Sequence, residues 1–174
     1  TPLSFGSTVS SEIAKKREQD IYTFSASADT RLFLDALQES PNINARLLSP
    51  SGVEVFNTKI TSDATRHPVI LVENGSYQLI IDGTGELTGS YSFRLHNLST
   101  ATTLTTNTVT TGTLNPGSST NVFRFTGNAG NRLYLDSQTA SPNATWLLYG
   151  PGNVNEPIDS KPLGNDFEVV LPSS

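Results

Sequence analysis

Three side chains that could bind a ligand share one face of a short segment of the chain. Arg31, Phe33 and Asp35 stand two residues apart, and residues with that spacing point to the same side of a β-strand. The chain carries the same arrangement a second time, with a constant offset, as Arg132, Tyr134 and Asp136. A repeated guanidinium, aromatic ring and carboxylate would suit a binding surface.

The two acids admit two interpretations. Asp35 and Asp136 could be ligands, or they could end a strand on its polar face and pair with a basic residue of the same strand. Arg31 and Arg132 share that face, and opposite charges on one face of a sheet attract each other weakly. We therefore predict a structural pairing for each acid.

The two aromatic residues stand between leucines that are expected to face the core, so Phe33 and Tyr134 are expected to face outward. An exposed ring could stack on a sugar or on a proline-rich strand. Alternatively, both rings are buried against the other domain or beneath a covering loop. Tyr149 belongs with them by the same parity, whereas Trp146 is assigned to the core. The candidate ligand-binding residues are Phe33, Tyr134, Tyr149, Arg31 and Arg132.

The sequence offers no constellation typical of catalysis. His67 and His96 have no counterpart in the second copy, and the Gly-x-Ser-x-Gly pattern of hydrolases does not occur. Cysteine is absent, which excludes a thiol nucleophile and a thiolate metal site. We predict no catalytic residues and no enzyme activity.

These candidates lie within a duplicated segment. Residues 20–50 are repeated as residues 121–151, and Asp35 corresponds to Asp136 without a gap. The period is much longer than the roughly 20–50 residues of a solenoid repeat, so each copy is expected to form a domain with its own core. We predict a first domain at 1–98, a Thr-rich linker at 99–107 and a second domain at 108–174.

Strict alternation of apolar and polar residues predicts antiparallel strands. Tyr22 and Phe24, then Leu32 and Leu34, are expected to face one side. A closing hairpin is expected over residues 76–97, where two alternating runs follow each other. The fold class is therefore all-β, with two tandem antiparallel β-sandwich domains of jelly-roll-like form.

The second copy stops before any equivalent of that hairpin. Without those strands, one sheet would expose an apolar face and an unpaired edge. Either the chain is longer and its tail carries these strands, or another chain donates them, as in donor-strand complementation.

Composition excludes several partners. Eleven Lys and Arg residues against sixteen Asp and Glu residues give a net charge of −5, so the basic face that a nucleic-acid-binding protein needs is not expected. The basic run Lys15-Lys16-Arg17 is assigned to a solvated loop. No apolar stretch approaches the roughly 20 residues that span a bilayer.

A series of motifs carries a family resemblance. A Gly-containing entry strand at 109–114 precedes aromatic-x-Phe and Arg-Leu-x-Leu-Asp, then a turn at Pro50-Ser51-Gly52, then Asn-Gly-Ser-Tyr-x-Leu and Gly-Ser-Tyr-Ser-Phe-Arg-Leu. This order resembles the bacterial pre-peptidase C-terminal domain family, in two tandem copies with the second truncated.

The resemblance implies a β-sandwich module of an exported bacterial protein, secreted or at the cell surface. Such modules bind matrix polymers such as collagen or polysaccharide, and some bind calcium near the domain entrance. Here the matching acids, Glu12, Glu18 and Asp20, are interrupted by the basic run, and a calcium site needs six or more convergent oxygens. We therefore predict no metal site and no cofactor.

Two functional hypotheses follow. The first is a non-catalytic binding or display module for an extracellular polymer. The alternative is a structural subunit that forms oligomers with another protein chain by strand exchange at the incomplete second domain.

Overall fold

The computed structural model describes residues 1–61, 63, 67–138, 143–152 and 154–172. The regular structure of these residues is mostly β-strand, and a 3₁₀ turn lies at Leu98–Thr100. None of the described residues forms a helix that is long and apolar enough to cross a bilayer. The chain divides into two compact units, Thr1–Arg124 and Phe125–Ser174.

The first unit contains two four-stranded antiparallel sheets, with strand orders β1-β8-β3-β6 and β2-β7-β4-β5. This order is typical of a jelly roll, in which eight strands form two packed sheets. The all-β prediction is confirmed. The strands are β1 (Val9–Ile13), β2 (Gln19–Ala26), β3 (Arg31–Ala36), β4 (Ser40–Leu48), β5 (Glu54–Ile60), β6 (Val69–Ile70), β7 (Gly75–Gly83) and β8 (Gly89–Asn97).

The predicted alternation places the core between these sheets. Tyr22, Phe24, Leu32 and Leu34 are all buried, as the pattern predicts. The remaining strands contribute in the same way, and the largest fully buried side chains are Tyr77, Tyr91, Phe93, Ile13, Leu32, Ile43, Leu47, Ile60, Leu71, Leu79, Ile81 and Leu95.

The predicted closing hairpin over residues 76–97 is wrong. β7 lies between β2 and β4, whereas β8 lies in the other sheet between β1 and β3. The chain crosses from one sheet to the other after Gly83, where a Cβ atom would lie 1.8 Å from the carbonyl oxygen of Leu87. Both strands are therefore central strands of the sandwich, and each places alternate residues in the core between the sheets.

The Thr-rich segment continues the first unit. β9 (Thr102–Thr103) pairs in parallel with β10 (Phe123–Arg124), and the backbone N–H of Leu104 donates to the carbonyl of Arg124 at 2.7 Å. At the start of the chain, Pro2 forms the same kind of parallel bridge with Thr23. The domain bounds proposed from the sequence stay predictions.

The second unit contains two separate antiparallel strand pairs. β11 (Arg132–Leu135) pairs with β14 (Phe167–Val170), and β12 (Thr145–Leu148) pairs with β13 (Asp159–Pro162). Trp146 and Phe167 pack edge to face, with ring centroids 6.5 Å apart. Phe167 is buried while Trp146 is half-buried, so the core of this unit is smaller and less enclosed.

Candidate binding site

Asp35 is the most enclosed charged group of the first unit. It lies on β3 with none of its surface exposed. Its Oδ2 atom accepts from Arg94 Nη2 at 2.7 Å and Nε at 2.9 Å, and lies 3.2 Å from His96 Nε2. Its Oδ1 atom accepts from the backbone N–H of Thr120 at 3.1 Å. Both carboxylate oxygens therefore have partners, as a buried charge requires.

The partners of this carboxylate correct the predicted pairing with Arg31. Arg94 and His96 belong to β8, and Arg94 is the cross-strand neighbour of Asp35. Burial raises the pKa of Asp35, but hydrogen bonding by His96 and the charge of Arg94 outweigh burial and hold that pKa below its ordinary value. Asp35 is therefore an ionised anchor inside the fold.

An Asp–His contact also occurs in hydrolases, where the acid orients a histidine base. Here the same carboxylate binds a guanidinium and a backbone amide, so the geometry is that of a structural ion pair. The sequence names Asp35 and His96 separately but gives no local signal that they meet, because the register between β3 and β8 brings them together.

A segment of irregular chain covers this face of β3. Ser118 donates its hydroxyl to the carbonyl of Leu37 at 3.0 Å, Ser119 is buried, and Thr120 bonds Asp35. Phe33 shares the face and is only 5% exposed. Of the two interpretations of this ring, burial is therefore correct, and outward exposure is wrong. Arg31 is half-buried at the end of the same strand.

The equivalent face of the second unit is open. Tyr134 on β11 is 65% exposed, and the side chain of Arg132 is 73% exposed. In register with them on β14 are Glu168, opposite Tyr134, and Val170, opposite Arg132. We call the surface formed by Arg132, Tyr134, Asp166, Glu168 and Val170 the Tyr134 face.

Polar contacts fix the Tyr134 face. The Tyr134 hydroxyl donates to Asp166 Oδ2 at 3.0 Å, and this hydrogen bond raises the pKa of Tyr134. Arg132 forms an ion pair with Glu168, rather than the predicted pair with Asp136, whose carboxylate accepts from Gln138 at 2.6 Å. The result is a neutral ring held in one orientation, with hydrogen-bonding groups at its edge and an exposed valine nearby.

Tyr149 does not lie on either of the strands, β11 and β14, that carry the Tyr134 face. It follows β12, which belongs to the other strand pair of the second unit. Its side chain is half-buried, and desolvation raises its pKa. Arg132 and Tyr134 thus share an exposed face of the second unit, while Phe33 and Arg31 lie on β3 of the first unit.

A groove of the first unit escaped the sequence analysis. It has a volume of about 300 Å³ and is lined by Phe5, His96 and Asn97 together with residues 100–102 and 120–123. Distant parts of the chain meet there only in the folded unit, so no local pattern marks it. Its histidine is already engaged by Asp35, which leaves its walls largely uncharged.

The acids that the resemblance would place at a calcium site have other contacts. Glu18 Oε2 accepts from the backbone N–H groups of Ala14 at 2.7 Å and Lys15 at 2.8 Å, and Asp20 accepts from the hydroxyl of Tyr91. Within the described part of the chain, no three His, Cys, Asp or Glu side chains are grouped as a metal site requires. Glu18 and Asp20 each accept hydrogen bonds from groups of the first unit.

Comparisons with known proteins give structural similarity only. No family model matches the chain, and no curated protein matches it. Among solved structures, the chain is similar to PliG of Salmonella Typhimurium, a periplasmic lysozyme inhibitor of g-type lysozyme, with a TM-score of 0.44 and 17% identity over 55% of this chain and 94% of that chain.

Two further structures match over the same share of this chain, 55%, with the same TM-score of 0.44. One is a PliG mutant from Escherichia coli, with 19% identity and 94% of that chain covered. The other is Aeromonas hydrophila PliG, with 14% identity and 92% covered. Similarity at this level does not identify the family or the function of the chain.

Proposed function

We propose that the chain is a non-catalytic binding module of an exported bacterial protein, secreted or at the cell surface, and that it binds an extracellular polysaccharide through the Tyr134 face. The observation that carries this proposal is the exposure of Tyr134, at 65%, where the equivalent Phe33 is buried. Burial of a large apolar ring is more favourable than its exposure to water. A ring that is exposed and held in place therefore suits contact with a ligand.

The chemistry of the face favours a sugar. A tyrosine ring presents an apolar surface on which the C–H face of a pyranose can stack. Asp166 and Glu168 accept hydrogen bonds, and Arg132 donates them, which matches the hydroxyl groups of a sugar. The net charge of −5 disfavours an anionic polymer, so the proposed ligand is a neutral polysaccharide.

Substitution of Tyr134 tests the proposal. The Tyr134→Ala variant is expected to bind neutral polysaccharide about 10-fold or more weakly, because it loses a stacking contact worth about 1.4 kcal/mol or more. Binding is measured by retardation in native gels that contain soluble amylose and by pull-down with cellulose and chitin. Tyr134→Phe keeps the ring and is expected to retain most of the affinity.

Leu147→Ala is the matched control, because Leu147 is also an exposed apolar residue, at 40%, on the strand pair that does not carry Tyr134. It is expected to bind as the unmodified chain does. Equal binding by Tyr134→Ala, or no binding of any of these polymers by the unmodified chain, would contradict the proposal. Retention on immobilised collagen, lost in Tyr134→Ala, would assign the face to a proline-rich protein instead.

A further inference from the structure

A long loop of the first unit begins and ends at the same place. Residues 105–122 leave from β9 and return to β10, and these two strands pair with each other. The loop is braced internally, because Asn121 Nδ2 donates to the carbonyl of Thr113 at 3.3 Å and the backbone N–H of Ser119 donates to the carbonyl of Pro116 at 2.9 Å. We call residues 105–122 the lid loop. Its ends are held together, so it can move as one body while the strands beside it stay in place.

Hydrogen bonds hold the lid loop on the outer face of β3. The hydroxyl of Ser118 donates to the carbonyl of Leu37 at 3.0 Å, and the backbone N–H of Thr120 donates to Asp35 Oδ1 at 3.1 Å. Arg94 Nη2 donates to the carbonyl of Thr120 at 3.4 Å, which is longer than an ordinary hydrogen bond of this kind. These contacts are polar and lie at one end of the loop.

Little apolar surface secures the lid loop. Residues 105–118 are all exposed, and the apolar side chains of Val109 and Leu114 among them are 68% and 36% exposed. Within this loop, which the structure describes completely, only Ser119 is buried. Segments with few buried apolar groups open locally at a lower free energy than the whole fold unfolds.

The one buried residue of the loop opposes closure. Ser119 is 5% exposed, and its hydroxyl oxygen has no hydrogen-bond partner among the described residues. A buried hydroxyl without a partner has lost its hydrogen bonds to water and gained none in return. The closed form therefore carries a penalty that opening removes.

We propose that the lid loop opens and closes on the outer face of β3 while the first unit stays folded. Opening breaks the bonds of Ser118 and Thr120 and returns the Ser119 hydroxyl to water. It admits water and solutes to Phe33 and Asp35, which are 5% and 0% exposed in the closed form. The face thus has a covered form and an open form, and this device does not depend on the proposed binding of polysaccharide.

The ion pair beneath the lid loop limits the cost of opening. Asp35 keeps Arg94 and His96 as partners when Thr120 leaves, so the carboxylate remains compensated. Both partners belong to β8, which pairs with β3 along its length. The sheet is therefore expected to remain intact in the open form.

Amide hydrogen exchange at Thr120, followed by NMR on the unmodified chain, is the direct test. Exchange is expected to be slower than at the exposed amides of the lid loop and faster than at amides of β7, which lies in the centre of a sheet. Low concentrations of urea are expected to leave the rate at Thr120 nearly unchanged, because local opening exposes little surface. Exchange at Thr120 at the same rate and with the same urea dependence as at β7 would overturn the proposal.

Two substitutions in the lid loop are expected to have opposite effects. Ser119→Ala removes the unpaired hydroxyl and is expected to slow exchange at Thr120 by about 5-fold or more, whereas Ser118→Ala removes a hydrogen bond and is expected to accelerate it by about 2- to 10-fold. Neither is expected to change exchange at β7. Unchanged or faster exchange at Thr120 in Ser119→Ala would overturn the proposal.

Thiol labelling gives a second measurement of the same opening. The chain has no cysteine, so Ser119→Cys introduces a single thiol, and Ser118→Cys, at an exposed position, is the matched control. Without denaturant, Ellman's reagent is expected to label Ser119→Cys completely, but about 10-fold or more slowly than Ser118→Cys. Equal rates, or labelling of Ser119→Cys only at urea concentrations that unfold the first unit, would overturn the proposal.

Discussion

Replacement of Asp35 with alanine is expected to lower the free energy of unfolding of the first unit by about 3–5 kcal/mol, because it leaves a partly buried charge without its partner. Arg94, whose side chain is 20% exposed, and His96, at 12%, both lose the carboxylate. The backbone N–H of Thr120 also loses its acceptor. Urea denaturation followed by far-UV circular dichroism measures the change.

Asp136→Ala is the matched control for this variant. It removes the same side chain at the equivalent strand position, but Asp136 is exposed and its effect is expected to stay within about 0.5 kcal/mol. Equal effects of the two substitutions would contradict the assignment of Asp35 as an anchor.

The pH dependence of stability is a second test of the assignment of Asp35 as an ionised anchor. The pKa of Asp35 in the folded protein lies below its ordinary value of 3.8, so the folded state favours the ionised carboxylate. The resulting stabilisation is complete above that ordinary value and is lost as the pH falls through the folded pKa. The unmodified chain is therefore expected to lose more stability on acidification below about pH 4 than Asp35→Ala does.

Leu34→Ala is expected to lower the free energy of unfolding of the first unit by about 2–5 kcal/mol, as large-to-small substitutions in a closed core do. Leu34 is 3% exposed between the two sheets. Leu135→Ala, at the equivalent position of the second unit, is expected to cost about 1 kcal/mol or less, because Leu135 is only half-buried and water already reaches part of its surface.

Two signals separate these effects in one molecule. Trp146 fluorescence reports unfolding of the second unit, and far-UV circular dichroism is dominated by the strands of the first. A Leu135→Ala effect as large as that of Leu34→Ala would show that the second unit is as enclosed as the first.

The exposure of a ring on the outer face of a strand depends on whether another segment of the chain covers that face. Phe33 and Tyr134 occupy the same place in corresponding strands, yet one ring is 5% exposed and the other 65%. The residues that cover the outer face of β3, Ser118 to Thr120, follow the first unit's last central strand in the chain. The residues of the repeated motif do not indicate which of the two rings is buried and which is exposed.

The sequence by itself determined the all-β class and the inward residues of the first unit, because period-two alternation reports directly that one face of a strand is buried. The inward positions of Tyr22, Phe24 and Leu34 could all be predicted in this way. The exposure of Tyr134 could be proposed from parity alone, with burial as the alternative.

Only the tertiary structure decided which strands pair and which side chains meet. Alternation shows which side chains of a strand face the core, but not which sheet contains the strand. β7 and β8 follow each other in the chain and therefore resemble a hairpin in sequence, although they lie in opposite sheets. The same limit applies to Asp35, whose partners on β8 are chosen by the register between strands rather than by spacing along β3. Hydrogen bonds between strands join residues far apart in the chain, and no local pattern encodes their choice.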